Sequence, residues 1–344
     1  MPREQPVYVL VTPNALLLDI AAPAEALRIA NHQQDAVRFS LRYVGAQRSA
    51  TTSIGLCVSP LETLPETLPD GAWLVVTGTV SKPVPTVLPE ACATTADPAD
   101  PTQHIETGEA IEARVVDWLR GVVRPTHQLA CICTGALLAA RAGLLDGRAC
   151  TTHHASCDAL RMLAPGARVA DNRLYVHDGN VWTSAGVTTG LDLMLTLIAE
   201  TTDPLCAAAV ARQMVVYARR AGADPQLSPW LEGRNHLHPA LHRVQDAIAA
   251  DPARDWTLAG MAEIACVSER QVTRLFREHA DTAPIDYVHR LRIALVRELL
   301  GNSQLDLEHI AERAGFGSSR HLRRVWQKFS PTPPSRVRRE ARAT

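Results

Sequence analysis

LEHIAERAGFGSSRHLRRVWQKF, residues 307–329, holds two apolar stripes separated by a short break. Leu307, Ile310, Ala311 and Ala314 fall at i, i+3, i+4 and i+7, which places them on one face of a helix. GFGS interrupts the period, and Leu322, Val325, Trp326 and Phe329 resume it. The pattern predicts two short helices joined by a tight turn. Leu258, Met261, Ala262 and Ala265, then CVS, then Val272, Leu275, Phe276 and His279 repeat it earlier in the chain, and Pro284 and Pro334 close the two units. A duplicated helix-turn-helix, over about 257–279 and 307–329, is therefore expected.

Ser268 and Ser318 stand where N-caps belong, and Ser268 through Gln271 also fits a capping box. With the apolar stripes turned inward, Arg270, Gln271, Arg274 and Arg277 face outward in the first unit. Ser319, Arg320, Arg323 and Arg324 do so in the second. Helices of this size fit the major groove, where Arg and Gln pair bidentately with guanine and adenine edges and further arginines neutralise phosphates. Charge supports this. Residues 1–236 carry 18 basic and 23 acidic side chains, net −5, whereas 237–344 carry 17 and 13, net +4. Double-stranded DNA is the expected partner of the C-terminal part.

Upstream the character changes. VYVLVTP (7–13), FSLRYVGA (39–46), AWLVVTG (72–78), LACIC (129–133) and VWTSAGV (181–187) read as strands, and helical patterns such as PAEALRIANHQQ and TGLDLMLTLIAE alternate with them. Such alternation predicts an α/β fold, a sandwich with a mainly parallel sheet. Ser81 to Gly108 reads as a long surface loop, and GADPQLSPWLEGRNHLHP (222–239) as a linker in which His236 and His238 have no specific role. The expected domains are thus 1–221, the linker 222–239, and 240–344. The N-terminus has no basic start with an apolar run, no stretch reaches membrane-spanning length, and the eight cysteines are scattered. A cytoplasmic protein with reduced thiols and no membrane association is expected.

LACICTGALLAARAGLL places Cys133 where an apolar strand meets a helix, at a turn expected to be exposed and strained. Free amides and the helix dipole would favour a thiolate there. His153, His154 and Asp19 complete a set suited to nucleophilic catalysis. The spacing His153-His154-x-x-Cys157 fits no common zinc site, and neither metal nor cofactor is expected.

These residues resemble two families. IAERAGFGS (Ile310–Ser318), Arg324, Trp326, Pro334, Arg338 and the joining stretch PIDYVHRLRIALVRELL resemble the AraC family, although Asp281 and Pro331 stand at its turn glycines and Val337 at its tyrosine. The N-terminal part resembles the ThiJ/PfpI superfamily, related to class I glutamine amidotransferases. The resemblance implies a flavodoxin-like sandwich in which Cys133, Asp19 and His153 line one site. It covers most of residues 5–200, including RLYVHDGNVWTSAGVTTGLDLMLTLI. The combination is similar to the GlxA-type regulators. Thr134 follows the cysteine where peptidase-like members have His, and TGT (77–79) replaces a Gly-Gly turn. The resemblance therefore implies a homodimeric regulator. Asp19, Cys133, Thr134, His153, His154 and Gly186 would bind a small-molecule effector, a nitrogenous metabolite, and would not turn it over. A cysteine-dependent hydrolase or hydratase with an accessory DNA-binding domain, and a scaffold that merely dimerises, are the alternatives.

Overall fold

The structure, a computed structural model, describes residues 2–84, 107–216, 220–222, 224–226, 228–230, 232–330 and 332–343. The expected loop therefore falls largely outside the described residues, as does Pro331. Two compact units divide the chain, residues 1–226 and 227–344.

In the first unit, short runs rich in Val, Leu and Trp are buried on both faces, the condition under which parallel strands form. The main sheet consists of β1 (Arg3–Leu10), β2 (Val37–Gly45), β3 (Glu62–Thr63), β4 (Trp73–Val76), β5 (Gln128–Ile132), β6 (Tyr175–Asp178) and β7 (Val181–Ser184). Their spatial order is β6-β7-β5-β4-β1-β2-β3. Every pair is parallel except β6 with β7. In register, Val7 lies opposite Trp73, Trp73 opposite Gln128 and Leu129 opposite Val181.

Alternation along β1 sends Val7 and Val9 into one core and Tyr8 and Leu10 into the other. The first core lies under α1 (Leu17–Gln33), with α5 (Thr189–Thr201) and α6 (Pro204–Gln213). α2 (Gly108–Val122), α3 (Gly135–Arg141) and α4 (Cys157–Leu163) cover the second. The result is a three-layer sandwich of flavodoxin-like form. Fully buried Leu27, Leu74 and Leu129 contribute about 2 kcal/mol each by transfer from water. Helix α1 begins at Leu17, ahead of the expected stretch, with Pro23 inside it. That earlier start puts Asp19 in its first turn.

The second unit is helical: α7 (Pro239–Ala250), α8 (Leu258–Ala265), α9 (Glu269–Ala280), α10 (Pro284–Asn302), α11 (Leu307–Arg313), α12 (Ser319–Phe329) and α13 (Pro334–Ala343). Helix α10 serves two cores in succession. Tyr287, Val288 and Leu291 pack with α7, α8 and α9, while Ile293, Val296 and Leu300 pack with α11 and α12. Trp230 and Glu232 already belong to this unit, the first against its core and the second paired with Arg290.

One expectation fails in the first unit. Cys57 is disulfide-bonded, so the cysteines are not all reduced; it is exposed on a two-residue ribbon, where a thiol is open to reaction. Cys131, Cys133, Cys150, Cys157, Cys206 and Cys266 are free.

Candidate functional site

β5 ends at Ile132, and Cys133 takes the next position with φ of 56°, a left-handed conformation that costs a side-chain-bearing residue energy. Both ends of the residue are held. Its N–H donates to Ser184 O at 3.0 Å, and its carbonyl accepts from Thr152 Oγ1 at 2.8 Å. Two glycines close over it: a Cβ on Gly186 would lie 2.1 Å from the Cys133 Cβ, and one on Gly78 2.6 Å from it.

Asp19 reaches the same place from α1 and is fully buried. Its Oδ1 accepts from Val187 N–H at 2.8 Å and its Oδ2 from Gly78 N–H at 3.2 Å. Burial lifts its pKa to about 6 against the opposing pull of those two amides. Burial, and then the nearby Asp19 charge, push the Cys133 thiol up to about 12, although Thr134 works in the other direction. The expected exposed thiolate is thus corrected. The turn is strained, but Gly78, Gly186 and Asp19 bury it, and desolvation beside a carboxylate outweighs the amides at the start of α3.

Two amides beside the elbow are occupied. Gly78 N–H donates to Asp19, and Thr79 N–H donates to Thr134 Oγ1 at 2.7 Å. Thr134 Oγ1 in turn donates to Thr79 O at 3.0 Å, which locks the TGT turn onto the elbow. His153 precedes the 3-10 turn His154–Ser156. Its ring accepts from Ala155 N–H at 3.4 Å and lies 4.2 Å from the exposed His154 ring. Burial, and then His154, lower its pKa. Among the described residues no hydrogen bond joins His153 to Cys133, and no group of three His, Cys, Asp or Glu is placed to hold a metal ion. Asp19, Cys133, Thr134 and Gly186 thus form one cluster, with His153 and His154 on the neighbouring turn.

In the second unit the serines act as caps. Ser268 Oγ accepts from Gln271 N–H at 3.3 Å, and Ser318 Oγ accepts from His321 N–H at 3.2 Å. Asp281 ends α9 at φ of 46°, so it adopts the conformation a turn glycine would have supplied. Arg270, Gln271, Arg274 and Arg277 are exposed on α9, and Arg320, Arg323 and Arg324 on α12. Ser319 is half-buried, with its N–H facing the Glu308 carboxylate at 3.3 Å. Arg338 donates to Leu305 O, an intramolecular tie. Pattern reading missed Arg292, which is buried and donates to Pro252 O and Arg254 O. It also missed Arg220, whose guanidinium meets buried Asp192 at 2.5 Å. No sequence periodicity signals such long-range pairs.

Residues 261–340 match a helix-turn-helix domain family, and residues 106–200 match the DJ-1/PfpI family. The chain is 32% identical over 221 residues to the HTH-type transcriptional regulator GbdR of Pseudomonas aeruginosa, an alignment covering 64% of this chain and 59% of GbdR. It is 34% identical over 222 residues to the HTH-type transcriptional regulator GlxA of Rhizobium meliloti, covering 64% and 68%. A shorter stretch, 89 residues, is 38% identical to isonitrile hydratase of Pseudomonas putida, covering 26% and 38%. Among the described residues no helix is long and apolar enough to cross a membrane. With its strained cysteine elbow on a DJ-1/PfpI sandwich and its paired helix-turn-helix units, the chain belongs to the AraC-type family of transcriptional regulators represented by GlxA.

Proposed function

We propose that the chain is a sequence-specific DNA-binding transcriptional regulator controlled by a small-molecule effector. The observation that carries this reading is the pair of serine-capped second helices, α9 and α12, each with arginines exposed on the side away from its core. Two such helices suit successive major grooves. Residues 240–344 are the proposed DNA-binding domain and 1–221 the effector and dimerisation domain, joined through 222–239. The chain acts as a homodimer in the cytoplasm. Its effector, a nitrogenous metabolite, contacts Asp19, Cys133, Thr134, His153, His154 and Gly186.

The N-terminal unit is proposed to sense and not to catalyse. Burial, and then the Asp19 charge, push the Cys133 thiol up to about 12, which holds it in the neutral form at neutral pH. A nucleophile needs the thiolate, and the transition state needs free donors, which Gly78 and Thr79 do not offer. The competing reading, a cysteine-dependent hydrolase or hydratase, draws on the left-handed Cys133 beside a buried acid and on the similarity to isonitrile hydratase.

The decisive experiment is binding to DNA fragments flanking the gene, measured against salt, with and without a panel of nitrogenous metabolites. Affinity that falls with salt, and that a metabolite shifts, is expected. Salt-independent binding, or turnover abolished by Cys133→Ala with DNA binding intact, would overturn the reading.

A further inference from the structure

The end of the first unit is fastened to the cysteine elbow on two sides. On one side, Arg220 Nη2 donates to Thr188 Oγ1 at 2.9 Å, and its guanidinium pairs with Asp192, which is 5% exposed. Thr188 follows Val187, whose N–H is held by Asp19, and Gly186, which packs on Cys133. On the other side, Gln226 Nε2 donates to Thr152 O at 2.8 Å, and the hydroxyl of that same Thr152 donates to Cys133 O. Between the two fastenings, Leu174 N–H is shared by Gly222 O at 3.0 Å and Asp224 O at 3.1 Å. Each fastening therefore lies one residue or one hydrogen bond from the elbow.

Resting on the regulator reading above, we infer that Arg220 and Gln226 are the output contacts of the elbow. A ligand that displaces the Gly186–Thr188 turn or the Cys133 carbonyl changes how tightly the chain is held just before it enters the second unit. Gln226 is the last residue of the first unit, so its release bears directly on the chain that follows. The clasp suits a switch because it is only half satisfied. Among the described residues the Gln226 Oε1 is buried without a hydrogen-bond partner, and opening returns that atom to water, which offsets part of the loss of its two side-chain amide bonds and of its N–H bond to Asn172 Oδ1. Arg220 acts by positioning, through Thr188, and among the described residues its hydrogen bonds go to Asp192 and Thr188 and to none of the proposed effector contacts. A ligand shifts the clasp only to the extent that it binds its closed and open forms differently.

Amide hydrogen exchange on the full chain, resolved to single residues, tests this without a known effector. Asp19→Asn replaces one of two carboxylate acceptors and perturbs the elbow end; Arg220→Gln cuts the output end. Each is expected to speed exchange of the Leu174 amide roughly tenfold while the Val9 amide in β1 stays protected. The double variant is expected to match the larger single effect, because both substitutions break one chain of contacts. Thr188→Val, which removes only a hydroxyl, is expected to give the same response if Asp19→Asn folds poorly. Multiplicative effects in the double variant, or an unchanged Leu174 amide in both Asp19→Asn and Thr188→Val, would overturn the inference. Salt-dependent binding of duplex DNA by the same proteins reads the regulator assignment separately. Intact DNA binding with a silent Leu174 amide defeats the clasp alone, whereas absent DNA binding in the parent chain defeats both.

Discussion

Gly186 and Cys133 occupy adjoining space so closely that a Cβ on the glycine would fall 2.1 Å from the Cβ of the cysteine and 2.6 Å from its sulfur. Gly186 also has φ of 86°, which L side chains rarely adopt. Backbone strain and steric overlap therefore coincide. Gly186→Ala is expected to cost more than about 4 kcal/mol, measured by urea unfolding. Adding Cys133→Gly removes the side-chain part of the overlap, but leaves the Cα of residue 133 at 2.7 Å and the strain at 186, and is expected to restore part of the loss. A double variant no more stable than Gly186→Ala alone would show that overlap with the Cys133 side chain is not the cause.

Asp19 makes stability depend on pH in a direction opposite to that of most carboxylates. Its folded pKa, about 6, lies above the ordinary 3.8, so the folded chain binds more protons between these values. Its stabilising contribution is complete below pH 3.8 and is lost as pH rises through 6. The difference amounts to about 3 kcal/mol. The stability of the parent chain minus that of Asp19→Asn should consequently fall between pH 4 and pH 7. A flat difference would mean that the Val187 and Gly78 amides outweigh burial.

Much of this was legible in the chain because it is local. The stripes of α8 and α9 and of α11 and α12, and the serines that cap α9 and α12, are set by contacts three or four residues apart. The cysteine elbow was legible too, as an apolar strand running into Thr-Gly. Its chemistry was not. Whether Cys133 is a thiolate depends on Gly78, Gly186 and Asp19, brought in from distant strand ends and from α1, and burial cannot be read from one segment. The Arg220–Asp192 and Gln226–Thr152 contacts escaped for the same reason: nothing in either partner's surroundings announces the other. Asp281 shows the converse, since a residue that departs from the glycine pattern still adopts the left-handed turn.

A histidine pair between α10 and α12 titrates the other way. The His289 ring stacks on Phe316 and meets the edge of His321, the latter at the start of α12. Burial first, then Arg292 for His289 and Arg324 for His321, lowers both pKa values below 6.5. Asp286 opposes the effect at His289, and Lys328 adds to it. A lowered histidine pKa gives stability that is present above 6.5 and lost as pH falls. Amides of α12 are expected to exchange faster at pH 5.5 than intrinsic rates predict. His289→Gln should reduce that acid sensitivity; an equal acid loss in the variant would rule the pair out.

Position along the recognition helices separates reading from anchoring. In helix-turn-helix proteins the start of the second helix meets base edges. Gln271 lies in the first turn of α9 and Arg277 in its last. Gln271 is neutral and displaces no counterion, so Gln271→Ala should leave the slope of log affinity against log salt unchanged. It should narrow the gap between cognate and scrambled duplexes by about 1–3 kcal/mol. Arg277→Ala should instead reduce the slope by about 1 and weaken both duplexes alike. Fluorescence anisotropy over a salt series gives both quantities for each variant. If Gln271→Ala changes the slope, or Arg277→Ala changes discrimination, α9 does not lie in the groove with its first turn toward the bases.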